Sequence, residues 1–339
     1  MKPLDPPLHS AACLRRHPAN PVLGPAQVPY PSTLTYNAGV ARWQGRYVMV
    51  FRNEDRPHDP ARMFTDLRMS LGLATSQDGV AWTVEAKPLP IDNDALFAME
   101  PGEVQRVYDP RLHIIDDRAY LCVALDTRHG VRGAILRTDD FQRFSVLHVT
   151  LPDNRNLVLF PQRINGRWCR LDRPFPVYSR GRDRFDLWYS SSPDWADWGD
   201  HRLVLGVEHV PYANDKIGPA APPIRTERGW LCIFHAVDVD PARGKNGWEP
   251  TWKKRYCAGV ALLDLHEPWK VLGMSKAPLI APEAPYEIAG GLRDHVIFPT
   301  GAVLDDDGQV KIYYGAGDAV MCLATAGLDQ LLALCSEPR

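Results

Sequence analysis

The amino-acid sequence predicts an all-β protein, a single five-bladed β-propeller over residues 1–339 with short extensions at both ends. Proline (31) and glycine (25) are abundant, whereas helical periodicity is confined to Leu328–Leu334 and Pro60–Asp66. Short alternating apolar runs, separated by polar turns, recur along the chain, as in all-β proteins. These runs form about five repeats of about 65 residues, a spacing typical of tandem propeller blades. An irregular β-sandwich is the alternative fold.

Each repeat opens with a hairpin, in which a tight polar turn joins a short apolar strand to an alternating strand. The first strands are Ala38–Trp43, Arg111–Ile115, Leu157–Ile164, Pro222–Thr226 and Gly301–Leu304. The turns and second strands are Gly45–Arg52, Asp117–Ala124, Gly166–Leu171, Gly229–His235 and Gly308–Tyr314. We expect the strand nearest the propeller axis to lie just before or inside this first hairpin of each blade.

A second hairpin follows each of these and completes a four-stranded unit. Its clearest copy is Leu71–Trp82, where a Ser-x-Asp-Gly turn leads into a strand that starts with an aromatic residue. The other copies are Ala134–Phe144, Leu187–Trp198, Gly259–Val271 and Cys322–Leu331, of which the last two are weaker. Two hairpins per unit supply the four strands of a propeller blade.

The charge and hydropathy of the chain exclude several functions. Lys plus Arg (39) nearly balances Asp plus Glu (41), so no basic field exists to hold a nucleic acid. No run approaches the roughly 18 consecutive apolar residues that a membrane span requires. Residues 1–21 carry prolines and charges where a signal peptide would carry an apolar core, which predicts a cytoplasmic protein. A homo-oligomer stays open.

The seven cysteines predict neither a disulfide framework nor a metal site. They form no Cys-x-x-Cys pair and their number is odd. Most lie in apolar runs, where cysteine acts as a small core residue. The acidic run Asp305–Asp307 lacks the closing glutamate of a calcium loop and predicts a hairpin turn. We therefore expect reduced thiols and no metal or cofactor.

Polar residues recur near the ends of the predicted inner strands. The set is Asn37, Arg52, Asp55, Tyr108, Asp109, Arg111, Arg155, Arg173, Lys216, His235, Asp238 and Asp318. A buried polar group without a partner costs about 1–3 kcal/mol, so this pattern indicates either ion pairs or a ligand. Local ion pairs, Arg173 with Asp172 or Arg155 with Asp153, would explain single members. Because the set recurs blade after blade, we expect five of its members to face one central funnel: Asn37, Asp109, Arg173, Lys216 and Asp318.

Five longer strings of the sequence carry a family resemblance. They are Val107–Leu112, Asp153–Pro161, Leu171–Pro174, Lys216–Ile224 and Tyr313–Asp318. In these strings the chain resembles the inverting β-mannoside phosphorylases of glycoside hydrolase family 130, five-bladed propellers that cleave β-mannosides with inorganic phosphate. The resemblance runs from Arg16–Pro21 to Cys322–Thr325. Asn154–Asn156 and Arg243–Trp248 most resemble the branch that acts on β-1,4-mannooligosaccharides and mannosyl-N-acetylglucosamine.

The chemistry of phosphorolysis agrees with these residue types. An inverting glycosidase needs one carboxyl group as acid and a second as base to activate water. A phosphorylase needs only the acid, because phosphate is already an anionic nucleophile, together with cations that hold phosphate in line with the anomeric carbon. Arginine suits this task because its planar fork binds phosphate oxygens in pairs. Arg155, Arg173 and Lys216, from successive repeats, are the candidates.

The resemblance also implies roles for individual residues. Asp109 matches the general acid, which protonates the glycosidic oxygen through the 3-hydroxyl of the transferred mannose. His235 and Tyr256 match positions that add hydrogen bonds to phosphate. The positions that hold the mannose hydroxyls match Asn37, Arg52 and Asp318, and also Asp55, although Glu54 aligns there equally well.

One position departs from the family pattern. Many members have glutamate directly before the general acid, whereas this chain has Tyr108. We expect Tyr108 to contact the leaving sugar and to influence the choice of acceptor. Phosphate is a co-substrate in this scheme, and no cofactor is implied.

The sequence leaves other functions open. A β-mannoside hydrolase of the same family, a phosphorylase of β-1,2-mannosides or mannosyl-glucose, and a non-catalytic mannoside-binding propeller are the alternatives. Arg155 and Lys216 argue against the hydrolase, because the hydrolytic members have an altered phosphate cradle. Asp109 argues against the binding module.

Overall fold

The structure, a computed structural model, describes residues 8–57, 66–180, 184–245 and 253–335. Within these residues the chain forms five antiparallel sheets, arranged as the blades of a five-bladed β-propeller. The predicted fold class is therefore confirmed. Residues 246–248 of the Arg243–Trp248 motif, and Pro60–Asp66 apart from its last residue, lie outside the described residues.

The strands are numbered in chain order. The N-terminal strand β1 (Arg15–Arg16) precedes blade 1, which contains β2 (Leu34–Trp43), β3 (Arg46–Asp55), β4 (Arg68–Ser76) and β5 (Thr83–Val84). Blade 2 contains β6 (Val104–Ile115), β7 (Arg118–Thr127), β8 (Gly130–Thr138) and β9 (Ser145–Val149). Blade 3 contains β10 (Asn154–Leu159), β11 (Trp168–Pro174), β12 (Leu187–Ser192) and β13 (Gly199–Leu205).

Blades 4 and 5 complete the ring. Blade 4 contains β14 (Lys216–Pro219), β15 (Ile224–Thr226), β16 (Gly229–Val239), β17 (Lys254–Leu263) and β18 (Val271–Met274). Blade 5 contains β19 (Ile297–Leu304), β20 (Gln309–Ala316) and β21 (Val320–Gly327). The α-helices are α1 (Asn93–Phe97), α2 (Pro285–Ile288) and α3 (Leu328–Leu334), and single 3₁₀ turns lie at Pro25–Gln27, Tyr178–Arg180, Val207–His209 and Pro241–Arg243.

The N-terminal strand closes the ring. β1 pairs with β21, so the first strand of the chain is the outermost strand of the last blade. The predicted second hairpin at Cys322–Leu331 is wrong, because α3 begins at Leu328 directly after β21. The prediction of a C-terminal helix is confirmed. Closure of the propeller thus pairs the N-terminal strand with a strand near the C-terminus.

The inner strands begin earlier than the sequence pattern predicts. β2 starts at Leu34, four residues before the predicted Ala38. β6 starts at Val104, seven residues before the predicted Arg111, and β10 starts at Asn154, three residues before the predicted Leu157. A bulge near the start of each strand interrupts the alternation of apolar residues that marks a strand. In blade 4 the inner strand is divided by Ala220–Pro223, and the predicted Pro222–Thr226 covers only its second part.

Aromatic residues from turns that recur in three blades pack against neighbouring blades. The predicted Ser-x-Asp-Gly turn of blade 1 has counterparts at Thr138–Phe141 and Ser192–Trp195, where the aspartate accepts backbone N–H groups of the turn. Phe141 packs edge-on against Trp43 with ring centroids 5.4 Å apart, and Trp195 stacks on Tyr120 at 5.0 Å. Offset and edge-to-face pairs of this kind add to the burial of apolar area.

Two further sequence predictions concern cysteines and membranes. All seven cysteines are free thiols, and all except the partly exposed Cys13 are buried. In the part of the chain that the structure describes, none of the helices is both long enough and apolar enough to cross a membrane.

Candidate active site

Bulges on three inner strands direct polar side chains toward the propeller axis. The bulged residues are Asn37 on β2, Asp109 on β6 and Asn156 on β10, with left-handed φ angles of 50°, 51° and 60°. Asn and Asp tolerate this conformation better than other non-glycine residues. A bulge re-aims the side chain that it carries. These three equivalent positions of consecutive blades consequently meet in one cavity.

This cavity is a funnel of about 350 Å³ at one end of the channel. Most of the predicted site residues line it: Asn37, Arg52, Tyr108, Asp109, Arg155, Arg173, Tyr256 and Asp318. Lys216 and His235 are buried behind these residues and contact them, as described below. Asp55 is not among the lining residues. Radial repetition has therefore brought together residues from every blade.

Asp109 is held by hydrogen bonds from blade 1. Its Oδ1 accepts from Asn37 Nδ2 at 3.0 Å and from Arg52 Nη1 at 2.9 Å. Burial raises the pKa of Asp109, but the charges of Arg52 and Arg111 and these two hydrogen bonds outweigh it, so the pKa lies below its ordinary value. The carboxyl group is thus ionised in the unliganded funnel.

Arg52 is fixed from three sides. Its guanidinium lies between the rings of Tyr36 and Tyr108, 4.7 and 4.8 Å from their centroids. Its Nε donates to Oε1 of the fully buried Glu54 at 2.7 Å. Glu54, and not Asp55, is therefore the acidic residue that contacts Arg52, and it orients Arg52 from behind the funnel wall.

Asp318 faces the funnel from the turn between β20 and β21. It has a left-handed φ of 51° and pairs with Arg293 Nη1 at 3.5 Å. Burial raises the pKa of Asp318, and the neighbouring carboxylates of Asp109 and Glu54 raise it further against the opposing charge of Arg293. Two carboxyl groups in the same funnel thus have pKa values shifted in opposite directions.

The wall of the funnel formed by blades 3 and 4 is cationic. Arg173 is 2 % exposed, and its Nη1 lies 3.0 Å from His235 Nε2. The other ring nitrogen, Nδ1, lies 3.2 Å from the carbonyl oxygen of Pro219. A carbonyl only accepts, so Nδ1 carries the proton and Nε2 accepts from Arg173. Burial and the charges of Arg173 and Arg111 hold the pKa of His235 well below its ordinary value, so the ring is neutral.

The two arginines of this wall, Arg155 and Arg173, make no ion pair within the described residues. Buried Nε and Nη2 of Arg173, and Nε of Arg155, have no hydrogen-bond acceptor. Burial and the nearby Arg155 lower the pKa of Arg173 to about 9. The local pairings considered from sequence are absent: Asp172 pairs with Arg170 at 3.0 Å, and no ion pair joins Arg155 to Asp153.

Lys216 extends this cationic wall from β14. Its Nζ lies 5.5 Å from the ring centroid of Tyr256, which lines the funnel, and 3.8 Å from Asp215. Burial and the charges of Arg173 and Lys254 hold the pKa of Lys216 well below its ordinary value. Positive groups that repel one another, with unpartnered N–H groups on Arg155 and Arg173, favour binding of an anion with several oxygens.

Several functional side chains were missed from sequence. Asn156 follows Arg155 and occupies the same bulge position as Asn37 and Asp109, so comparison of the repeats would have found it. Asp126 accepts from the Tyr108 hydroxyl at 2.7 Å and lies 3.4 Å from Arg106 Nη1. No sequence signal marked Asp126, because its strand lies next to the inner one.

The funnel therefore contains the carboxyl groups of Asp109 and Asp318 together with a candidate anion site. Within the described ranges there is no cluster of three or more His, Cys, Asp or Glu side chains able to hold a metal ion. The arrangement suits transfer of a group from a neutral donor to a bound anion, with a carboxyl group as the acid.

Comparisons with known proteins agree with this chemistry. The family model of glycoside hydrolase family 130, described as β-1,4-mannooligosaccharide phosphorylase, matches residues 15–337. A β-1,4-mannooligosaccharide phosphorylase from Ruminococcus albus is 30% identical over 336 residues, 97% of this chain and 92% of that protein. A β-1,2-mannobiose phosphorylase from Listeria innocua is 32% identical over 261 residues, 77% of this chain and 67% of that protein.

A solved structure shows the same architecture. The β-1,2-mannobiose phosphorylase from Listeria innocua, in complex with β-1,2-mannobiose, superposes with a TM-score of 0.80 at 25% identity. The superposition covers 95% of this chain and 99% of that one.

Proposed function

Because the chain belongs to glycoside hydrolase family 130, the mannoside phosphorylases, we propose that it cleaves β-1,4-mannosides with inorganic phosphate and with inversion, releasing α-mannose 1-phosphate. The β-1,4 linkage is supported by the Ruminococcus albus relative, which matches along nearly the whole chain. The relative from Listeria innocua acts on a β-1,2 linkage, which is the second candidate.

The observation that carries this proposal is the cationic wall. Arg173 is buried with two guanidinium nitrogens unpartnered in the described residues, and Arg155 has one. Leaving these donors without acceptors is unfavourable, and a bound phosphate would supply an oxygen to each. A hydrolase would need a base for water at this place, and the wall presents arginine and lysine instead.

The reaction balances with these groups. A phosphate oxygen held by Arg155, Arg173 and Lys216 attacks the anomeric carbon on the face opposite to the leaving sugar. The bond between that carbon and the glycosidic oxygen breaks, and its electron pair goes to the oxygen. The oxygen takes a proton that originates from Asp109, relayed by the 3-hydroxyl of the mannose as the family resemblance implies. One displacement inverts the configuration.

Bound phosphate would raise the pKa of the general acid, Asp109. In the unliganded funnel the cations around Asp109 hold its pKa below the ordinary value. An anion that binds near Arg111 and Arg155 would offset part of this positive potential and raise the pKa of Asp109. Asp109 would then carry its proton when both substrates are bound.

We also propose a cytoplasmic location and no cofactor besides the phosphate co-substrate. The product, a sugar phosphate, is charged and is retained on the side of the membrane where it forms. Association of copies of the chain into a homo-oligomer stays a prediction.

The test uses Asp109→Asn with two classes of donor. On β-1,4-mannobiose we expect a loss of about 10²–10⁴-fold in kcat, the range of general-acid catalysis. On 4-nitrophenyl β-mannoside, whose leaving group needs no proton, the loss should be much smaller. Equal losses on both donors would contradict the role of Asp109. A parallel assay of the wild type with β-1,2-mannobiose decides the linkage, and faster cleavage of that donor would contradict the β-1,4 proposal.

A further inference from the structure

A buried arginine that follows Asp109 contacts residues of three blades. Arg111 follows Asp109 by two residues on β6 and is only 1 % exposed. Its guanidinium lies over the ring of Phe298 of blade 5, 5.2 Å from the centroid. It reaches blade 4, where Nε donates to the carbonyl oxygen of Ala220 at 3.2 Å. The side chain therefore touches two blades besides its own.

Arg111 also holds the backbone of Asp109. Its Nη1 donates to the Asp109 carbonyl oxygen at 2.7 Å, the shorter of its two hydrogen bonds. Asp109 has a left-handed φ of 51°, a conformation that a non-glycine residue keeps only when its surroundings impose it. The hydrogen bond from Arg111 is one such constraint, and it acts on the peptide that sets the direction of the Asp109 side chain.

The same stretch of blade 4 holds the phosphate side of the funnel. Pro219, the neighbour of Ala220, accepts from His235 Nδ1, and His235 Nε2 in turn accepts from Arg173. Two consecutive carbonyl groups thus anchor two connections. One leads through Arg111 to Asp109, and the other leads through His235 to Arg173.

Arg111 is an unfavourable residue for mere packing. Among the described residues it makes no ion pair with a carboxylate side chain, and its buried Nη2 has no acceptor. Burial lowers the pKa of Arg111 to about 10. An apolar side chain of similar volume would avoid the desolvation of the charge. The contacts of Arg111 with the two carbonyl oxygens are what an apolar residue would not supply.

We propose that Arg111 is a positioning residue that ties the backbone of Asp109 to the blade 4 stretch anchoring Arg173, and so fixes the acid relative to the bound phosphate. This inference rests on the proposed phosphorolysis. Arg111 does not itself touch the reacting atoms. It also contributes positive charge that keeps Asp109 ionised in the empty funnel.

The test compares Arg111→Met with wild type on the two donors named above. Loss of the tie misplaces the acid, so we expect kcat on β-1,4-mannobiose to fall by about 10²-fold, within the range of general-acid catalysis. On 4-nitrophenyl β-mannoside we expect a loss below about fivefold, because that leaving group needs no acid. The KM for phosphate should change less than in Arg173→Ala.

A pH profile supplies an independent readout. Without the charge of Arg111 the pKa of Asp109 rises, so the alkaline limb of kcat/KM on mannobiose should move to higher pH. Arg111→Lys keeps a charge but reaches only one carbonyl oxygen, and it should give an intermediate loss with the same preference for the activated donor. The control is Arg42→Met, which removes an exposed arginine of β2 that pairs with Asp306, and this variant should match wild type.

Equal losses on both donors, or an unshifted alkaline limb, would overturn the positioning role and assign Arg111 to folding alone. If Arg111→Met does not fold, Arg111→Lys decides by the same ratio of donors. Failure of the proposed function looks different, because the wild type would then show no phosphate-dependent cleavage of either donor.

Discussion

Arg173 donates from Nη1 to His235 Nε2 at 3.0 Å, and His235 is itself held by the carbonyl oxygen of Pro219. Both ring nitrogens of His235 are thereby used inside the protein. His235 accordingly reaches the anion site through Arg173 and leaves no donor for the phosphate itself.

The first prediction concerns this contact. His235→Ala frees the guanidinium of Arg173, so the KM for phosphate should rise by about 10-fold, as expected for loss of one hydrogen bond to a charged group. The KM for the mannoside should stay within about twofold of the wild type. Initial-rate kinetics with each substrate varied in turn measure both values. An exposed histidine, His201→Ala, is the control, and an unchanged phosphate KM in His235→Ala would refute the contact's role.

The second prediction concerns pH. Burial and the charges of Arg173 and Lys254 hold the pKa of Lys216 well below its ordinary value, so Lys216 loses its proton at a lower pH than an exposed lysine does. Phosphate binds the charged form, and therefore its KM should rise as pH increases through the pKa of Lys216. Lys216→Met should have a higher KM at neutral pH and a flatter rise. A phosphate KM independent of pH from 7 to about 9.5 would contradict this assignment.

The third prediction concerns the leaving sugar. Tyr108 lines the funnel, stacks on Arg52 and donates to Asp126 at 2.7 Å. Tyr108→Ala should change the relative rates with mannose, glucose and N-acetylglucosamine as acceptors in the synthetic direction. Tyr108→Phe keeps the stacking and should change them less. The phosphate KM serves as the reference, and a larger effect on it than on acceptor preference would exclude the acceptor role.

The fourth prediction concerns closure of the ring. Arg16 on β1 pairs with Glu287, which is fully buried and also accepts from the Tyr314 hydroxyl at 2.7 Å. Arg16→Ala leaves that carboxylate buried without its cation, so the free energy of unfolding should fall by about 3 kcal/mol. Denaturant titration measures the change. Arg15→Ala removes the exposed neighbour on the same strand and should fall by less than about 1 kcal/mol, whereas equal effects would contradict the account.

The repeat pattern of the sequence was sufficient to predict the propeller and most of the funnel. Asn37 and Asp109 stand at equivalent places in consecutive repeats, Arg155 directly precedes the next equivalent place, and radial repetition brings these places together. What the pattern did not predict was the source of the outer strand of blade 5. Strand β1 is only two residues long, too short to show any periodicity, and its partner lies more than 300 residues away.

Side chains that act behind the funnel wall were also hard to predict. Glu54 and Asp55 are adjacent and chemically alike, so the family pattern did not separate them, whereas β3 places Glu54, two residues after Arg52, on the same face as Arg52. Arg111 was recognised as one of the recurring polar residues, but its partners are backbone carbonyl groups, which carry no signal in the sequence.

The most direct measurement of the central claim is the phosphate dependence of cleavage. Wild-type protein is incubated with β-1,4-mannobiose in buffers with and without inorganic phosphate, and products are identified by ³¹P and ¹H NMR. The account predicts α-mannose 1-phosphate and mannose in equal amounts with phosphate, and no cleavage without it, while Arg173→Ala loses most of the phosphate-dependent rate. Release of free mannose at the same rate in phosphate-free buffer would contradict the account and identify a hydrolase.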